Sequence, residues 1–296
     1  ISDKNLTRDE RLAQSPRVIF TTPNLHGSIA LKGARFDDLT MTKYHETIDK
    51  SSPPVVLFSP NGDPRSYFSQ AGWISGDGTA GPDQNSLWQA DKTSFDANDT
   101  VNLSWDNGHG VTFLLSVMLD EHYLFTITQR VENHSRQPIS VTPYAYINRT
   151  YEDSWSGQNY AILHLGPLGV MEGALEEIGY EDLRKKNTRY TEASGWFGIT
   201  DKYWLSAIIP DEGSFTAEFN HYMKNSEHRY QLDYIGAAKQ IAHGKQAENS
   251  FRLFAGAKEI RIIDSYAEGT AKYPPIPLFD RAVDFGVLYF LTKPMF

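Results

Sequence analysis

The sequence contains no cysteine. That excludes disulfides, zinc–thiolate sites and cysteine nucleophiles, and the redox state of a compartment leaves no mark on the chain. It also lacks any run of the roughly 18 apolar residues that a helix needs to cross a bilayer. The apolar stretch from Phe285 to Leu291 is far too short to do so. Excess positive charge is missing too: 28 Lys+Arg stand against 37 Asp+Glu, a formal charge of −9. Such a balance opposes broad electrostatic docking onto nucleic-acid phosphates or anionic lipid, although local basic patches remain open. No nucleic-acid partner is expected.

What is present is a chain of 296 residues, enough for one large all-β domain or two smaller ones, with a sizeable core. Residues 1–16 are polar and charged and read as a flexible linker tail, with order expected from about Arg17. The pattern after that is mostly two-fold. Val101, Leu103 and Trp105 alternate with polar residues. Val111, Phe113, Leu115, Val117 and Leu119 share one face, and Tyr123, Phe125 and Ile127 return after the turn at 120–122. Ile139, Val141, Ala145 and Ile147 follow. This is a β-meander with one buried face per strand. Further strands are predicted over 196–199 and 203–209, and near 215–219, 230–234, 251–254 and 259–263. Many short strands with few helical stretches point to a large sandwich.

Two helices are predicted within this pattern. Residues 172–186 carry acids early and bases late, in keeping with the helix dipole, despite Gly179. At the C-terminus Phe279, Val283, Val287 and Phe290 fall at helical spacing, with Asp280, Arg281 and Asp284 between them, until Pro294 breaks the helix. An amphipathic, aromatic-rich segment of this kind suits a membrane interface. Its abrupt apolar end suggests a chain cut at a membrane border.

Candidate chemistry fares poorly against its context. Gly76-Asp77-Gly78-Thr79-Ala80-Gly81 matches G-x-G-x-x-G, but Pro82 follows it and no βαβ unit surrounds it, so a surface loop is expected. His221 and His228 are close in sequence without a metal-binding motif. Glu172, Glu176, Glu177 and Glu181 read as a solvated helix face. No serine-hydrolase elbow occurs. Trp196, Phe197, Tyr203 and Trp204 cluster in one hairpin; such aromatics stack on sugars or peptides when exposed, but more often build a core.

Three segments resemble the large periplasmic domain of YidC-type (YidC/Oxa/Alb) membrane protein insertases of Gram-negative bacteria. They are VIFTTPNLHGSIALKGARFDDLTMTKY (18–44), GWFGITDKYWLSAIIP (195–210) and VDFGVLYFLTKPMF (283–296), the last with Phe285 where the family usually has tyrosine. Residues 60–100 and 150–190 match more loosely. The resemblance implies an all-β fold with minor helices, a β-supersandwich similar to galactose mutarotases, over residues 17–275. Residues 276–296 would form an interfacial helix leading to a second membrane span, and the tail would follow a first. Val283, Phe285, Val287, Leu288, Phe290 and Leu291 would meet the interface, with Pro294 at the turn. The implied function is an accessory, non-catalytic periplasmic domain of an inner-membrane insertase, with no cofactor and no metal. Implied partners are SecD–SecF, the Sec translocon, nascent inner-membrane proteins and the membrane surface. An aldose-epimerase-like enzyme or a carbohydrate- or peptide-binding module on the same fold is the alternative. The epimerase motif Asn-His…Phe-Asn-Leu has no match, and the nearest stretch, YAYINRTYEDSW, lacks the histidine.

Overall fold

A computed structural model describes residues 6–152, 164–211 and 213–283. The expected alternation builds two twisted sheets packed face to face. Among the described residues the larger has eleven strands. Its central path runs Thr188–Ala193, Phe215–Lys224, Glu227–Ile235, Ile139–Thr150, Tyr67–Ser75, Arg35–His45, Leu25–Ala30, Arg17–Thr21 and Ser94–Asp96. Strands Lys239–Ile241 and Pro54–Phe58 pair beside that path. The smaller sheet has nine described strands, in the order Ala174–Glu177, Gly166–Met171, Gly195–Thr200, Trp204–Pro210, Lys245–Ala257, Leu124–Asn133, Val111–Leu119, Thr100–Asp106 and Gln89–Ala90. All described pairings are antiparallel except Arg17–Thr21 beside Ser94–Asp96.

The core lies between the sheets. Phe125 of the smaller sheet meets Phe20 and Phe36 of the larger edge-on, at 5.4 and 5.6 Å, the geometry favoured by the ring quadrupoles. Phe197 reaches Phe219 at 5.4 Å with the rings tilted. Polar side chains inside this layer satisfy one another. Gln129 Nε2 donates to the Gly72 carbonyl (2.7 Å), Asn249 Nδ2 donates to Gln129 Oε1 (2.9 Å), and Tyr234 OH donates to Asn249 Oδ1 (2.9 Å). Buried amides left without such partners would each cost roughly 1–3 kcal/mol.

Four segments differ from the sequence-based expectation. The first is the N-terminal tail, which carries a helix, Arg8–Leu12, closed by a Thr7–Glu10 capping box. The Arg8 guanidinium donates to Asp38, Ser59 and the Phe58 carbonyl. Local capping and long-range guanidinium bonds order residues whose composition alone reads as linker. The second is 172–186, a hairpin strand, Ala174–Glu177, followed by a short helix, Tyr180–Lys185. Glu172 and Gly173 turn with φ of 54° and 83°, which ends any helix there. The third is 259–263, which begins a helix, Ile260–Glu268, that buries Ile263 and Tyr266 three residues apart. The fourth is the C-terminal segment: Ile276, Phe279 and Ala282 belong to the buried core, and Phe279–Ala282 is a single 3₁₀ turn. The sandwich therefore continues past 275, and Phe279 faces protein instead of an interface.

This last segment closes the outer face of the smaller sheet. Phe279 packs on Trp196 (5.0 Å) and Phe254 (5.4 Å). Trp196 Nε1 donates to the Pro277 carbonyl at 3.0 Å, Arg252 Nη1 to the Pro274 carbonyl at 3.1 Å, and Tyr266 OH to Asp120.

Candidate functional site

The outer face of the larger sheet is built differently. Along Ile139–Thr150, Ile139, Val141, Ala145 and Ile147 point into the core, so Tyr144, Tyr146 and Asn148 point out. Register then places Tyr146 beside Gln70 on one side and Asp233 on the other, and Asn148 between Phe68 and Gln231. Arg35 stands opposite Gln70, and Glu218 opposite Asp233. The result is a carpet of amides, phenols and charges across five strands.

These groups are one another's partners. Tyr146 OH donates to Gln70 Oε1 (2.8 Å). Asn148 Nδ2 donates to Gln231 Oε1 and to the Tyr222 hydroxyl, both at 2.9 Å. Gln231 Nε2 and Asn220 Nδ2 donate to the two oxygens of Asp233, at 2.7 and 3.2 Å. Burial pushes the Asp233 carboxyl up to about 6, against the pull of those two donors. Arg35 lies 5.0 Å over the Phe68 ring, a cation–π contact.

Acid–base work on a sugar ring would need a second titrating group facing Asp233 across a substrate. The nearby histidines do not supply it. His221 and His228 alternate onto the opposite side of their strands. There His221 Nε2 and His228 Nδ1 lie 2.8 Å apart, with the rings stacked at 5.0 Å. Burial, reinforced by His228 and Arg184, lowers the His221 pKa. Among the described residues no cluster of three or more His, Asp or Glu gathers around them or elsewhere.

The other sequence candidates separate in space. The glycine-rich loop 76–81 is a surface bend organised by Asp77, which accepts from the Thr79 and Ser140 amides at 2.9 and 2.7 Å. Hydrogen bonds, first from Thr79, hold its carboxyl down at about 2. Glu172, Glu176, Glu177 and Glu181 fall on a turn, a strand and a helix start, and form no set. In the aromatic hairpin Trp196 and Phe197 are fully buried, whereas Tyr203 is 57% exposed.

That exposed tyrosine borders a second concavity, an apolar pocket of about 540 Å³ where Tyr44, Trp204, Ala257, Ile260 and Val283 meet. Tyr44 packs edge-on against Trp204 at 5.1 Å. Tyr123 OH donates to Glu259 Oε1 at 2.5 Å. Burial and the Glu259 carboxylate push the Tyr44 phenol up to about 12. The Lys202 ammonium stands 4.9 Å from the Tyr203 ring. Val283 is half-buried at the pocket wall, with an extended backbone. Of the residues expected at a membrane interface it is the one the structure describes; Phe285, Val287, Leu288, Phe290, Leu291 and Pro294 lie outside the described residues.

Comparison with known proteins gives the same picture of architecture and supplies kinship. The family model of the YidC periplasmic domain matches residues 17–296. A membrane protein insertase YidC of Rickettsia bellii is 41% identical over 291 residues, covering 97% of the chain and 51% of the relative. That of Bradyrhizobium diazoefficiens is 40% identical over 301 residues, covering 98% and 48%. The chain thus spans about half the length of the curated relatives it matches. Among solved structures, a galactose mutarotase related enzyme from Lactobacillus acidophilus superposes with a TM-score of 0.58 at 8% identity, over 81% of this chain and 97% of that one. A putative aldose 1-epimerase from Escherichia coli K12 gives 0.53 at 8%, over 81% and 99%. At such identity the likeness carries the fold, a mutarotase-like sandwich, and no activity. The curated relatives are named as insertases and not as enzymes.

Proposed function

Because the chain belongs to the YidC periplasmic domain family, we propose that it is the accessory, non-catalytic periplasmic domain of a bacterial inner-membrane protein insertase. The observation that carries this reading is the family match over 17–296, joined to relatives twice as long that bear the insertase name. Insertion itself is then the work of the other half of the protein, and this half supplies contact surfaces. Its partners are SecD–SecF and the Sec translocon, together with nascent inner-membrane proteins. The polar carpet, whose amides, phenols and Asp233 carboxylate are bonded to one another, supports binding over catalysis.

The C-terminal segment has its own part in this reading. Val283, Phe285, Val287, Leu288, Phe290 and Leu291 meet the membrane interface, and Pro294 turns the chain onward. The apolar pocket beside Val283, the exposed Tyr203 and the half-buried Lys202 put aromatic and basic groups at the same end of the sandwich, a composition suited to headgroup level. Flotation with liposomes tests this part. The full chain is expected to float in larger fraction than the chain ended at Val283, which keeps Phe279 in the core. Equal flotation would remove the membrane contact from the proposal. Affinity purification of the full-length insertase tests the partner contact: SecD–SecF is expected to copurify, and to be lost when residues 17–275 are deleted. Retention of SecD–SecF by the deleted protein would overturn it.

A further inference from the structure

The chain as a whole is acidic, yet one cleft at the edge of the larger sheet's outer face is strongly basic. It encloses about 610 Å³. Among the described residues six bases line it: Arg11, Arg17, Lys32, Arg35, Lys224 and Arg229. Two acids, Asp37 and Glu227, oppose them. The N-terminal helix and the first three strands bring one side of this set, and the hairpin of Phe215–Lys224 and Glu227–Ile235 brings the other. Register carries Arg229 onto the outer face, opposite Thr150 and Tyr222.

The compensation inside the cleft is uneven. Arg17 has a carboxylate partner: Nε donates to Ser28 Oγ at 2.6 Å and Nη2 to the Ser28 carbonyl and to Asp37. Arg35 is held by neutral groups, the Gln70 Oε1 at 3.4 Å and the Phe68 ring. Arg229 is the anomaly. Its side chain is 3% exposed, and Nη2 donates to Glu227 Oε2 at 3.0 Å. Its Nε and Nη1 are buried and have no hydrogen-bond partner among the described residues. A desolvated guanidinium with two idle donors is costly, and buried polar groups are nearly always paired. Glu227, its carboxylate partner among the described residues, is itself 36% exposed.

We propose that this cleft is an oxyanion site that takes a phosphate group, with Arg229 at its floor and Arg35 and Lys224 at its sides. Phosphate fits better than a single carboxylate because Lys32, Arg35 and Lys224 line the cleft beside Arg229 while its lining acids Asp37 and Glu227 bond Arg17 and Arg229, and a dianion balances more of that positive charge. The amides of Asn61, Gln84 and Asn85 on the rim would accept the polar body to which the phosphate is attached. The same phosphate could be presented by a small soluble ester or by a lipid headgroup. This inference does not depend on the insertase reading.

The test is titration of the full chain at low ionic strength with inorganic phosphate, with glycerol phosphate, and with phosphatidylglycerol vesicles, followed by calorimetry and by the thermal midpoint. Saturable binding of phosphate and glycerol phosphate in the millimolar range or tighter is expected, with a midpoint that rises with ligand and an affinity that falls with added salt. Arg229→Gln is expected to weaken binding at least tenfold. Lys224→Gln, at an exposed position, is expected to weaken it about threefold without changing the fold, so the idea stays testable if the Arg229 variant unfolds. Vesicle binding lost in parallel in both variants assigns a lipid source, and binding of the soluble esters alone assigns a soluble one. No saturable binding up to ten millimolar, unchanged affinity in Lys224→Gln, or binding of an acidic peptide without any binding of phosphate would overturn the proposal.

Discussion

The two sheets share a core but treat their outer faces in opposite ways. The smaller sheet hides its face under the chain's own C-terminal segment, where Phe279, Trp196, Phe254 and Tyr266 form a second apolar layer. The larger sheet leaves tyrosines, amides and charges on its face, bonded to one another and ending at a basic cleft. One face contributes stability by excluding water. The other spends little apolar area and keeps groups suited to recognition. The difference teaches where substitutions should act: on the fold for the first face, on binding and pH response for the second.

The largest expected effect lies on the closed face. Phe279→Ala removes a ring that sits fully buried among three aromatics and should cost about 3–5 kcal/mol in urea unfolding. A loss below about 1 kcal/mol would mean that the C-terminal segment only rests on the sheet.

The next effect belongs to the open face and depends on pH. Burial raises Asp233 from 3.8 to about 6 in the folded chain, so the folded state holds a proton that the unfolded state releases. Its contribution is therefore fully present below about pH 4 and disappears as pH rises through about 6. Relative to Asp233→Asn, the parent chain should lose roughly 1–3 kcal/mol between pH 4 and pH 7. Parallel pH profiles of the two proteins would refute the shifted carboxyl.

Two smaller effects sharpen the contrast. Tyr146→Phe deletes a single hydroxyl bonded to Gln70 and should cost about 1 kcal/mol by the same denaturation. Tyr203→Ser, at an exposed position, should stay within about 0.5 kcal/mol. If the open-face Tyr146 cost as much as Phe279, the division between structural and recognising faces would fail.

Much of this was legible in the amino-acid order, for physical reasons. From Thr100 to Thr150 each strand buries alternate residues, and the two-fold pattern survives because each side chain has a fixed face. The hairpin at 195–210 was equally plain. Where contacts are long-range the sequence was silent. Arg8 meets Asp38 across 30 positions, so a linker-like composition concealed an ordered helix. Ile260, Ile262 and Ile263 are β-branched and read as strand, whereas the segment is a helix that buries Ile263 and Tyr266. The outward set Tyr144, Tyr146 and Asn148 could have been picked out by alternation. Its neighbours Gln70, Gln231 and Asp233 require the register between strands. The basic cleft joins residues near 11–35 to residues near 224–229, a meeting that no local pattern announces.

The most direct measurement is membrane insertion in cells depleted of their own insertase. The full-length protein carrying this chain and the same protein lacking residues 17–275 are compared on a small Sec-independent membrane substrate. An accessory, non-catalytic domain predicts near-normal insertion by the deleted protein, at equal protein level in the membrane. Complete loss of insertion by a stably accumulated deleted protein would contradict it, and would move the inserting activity into this chain.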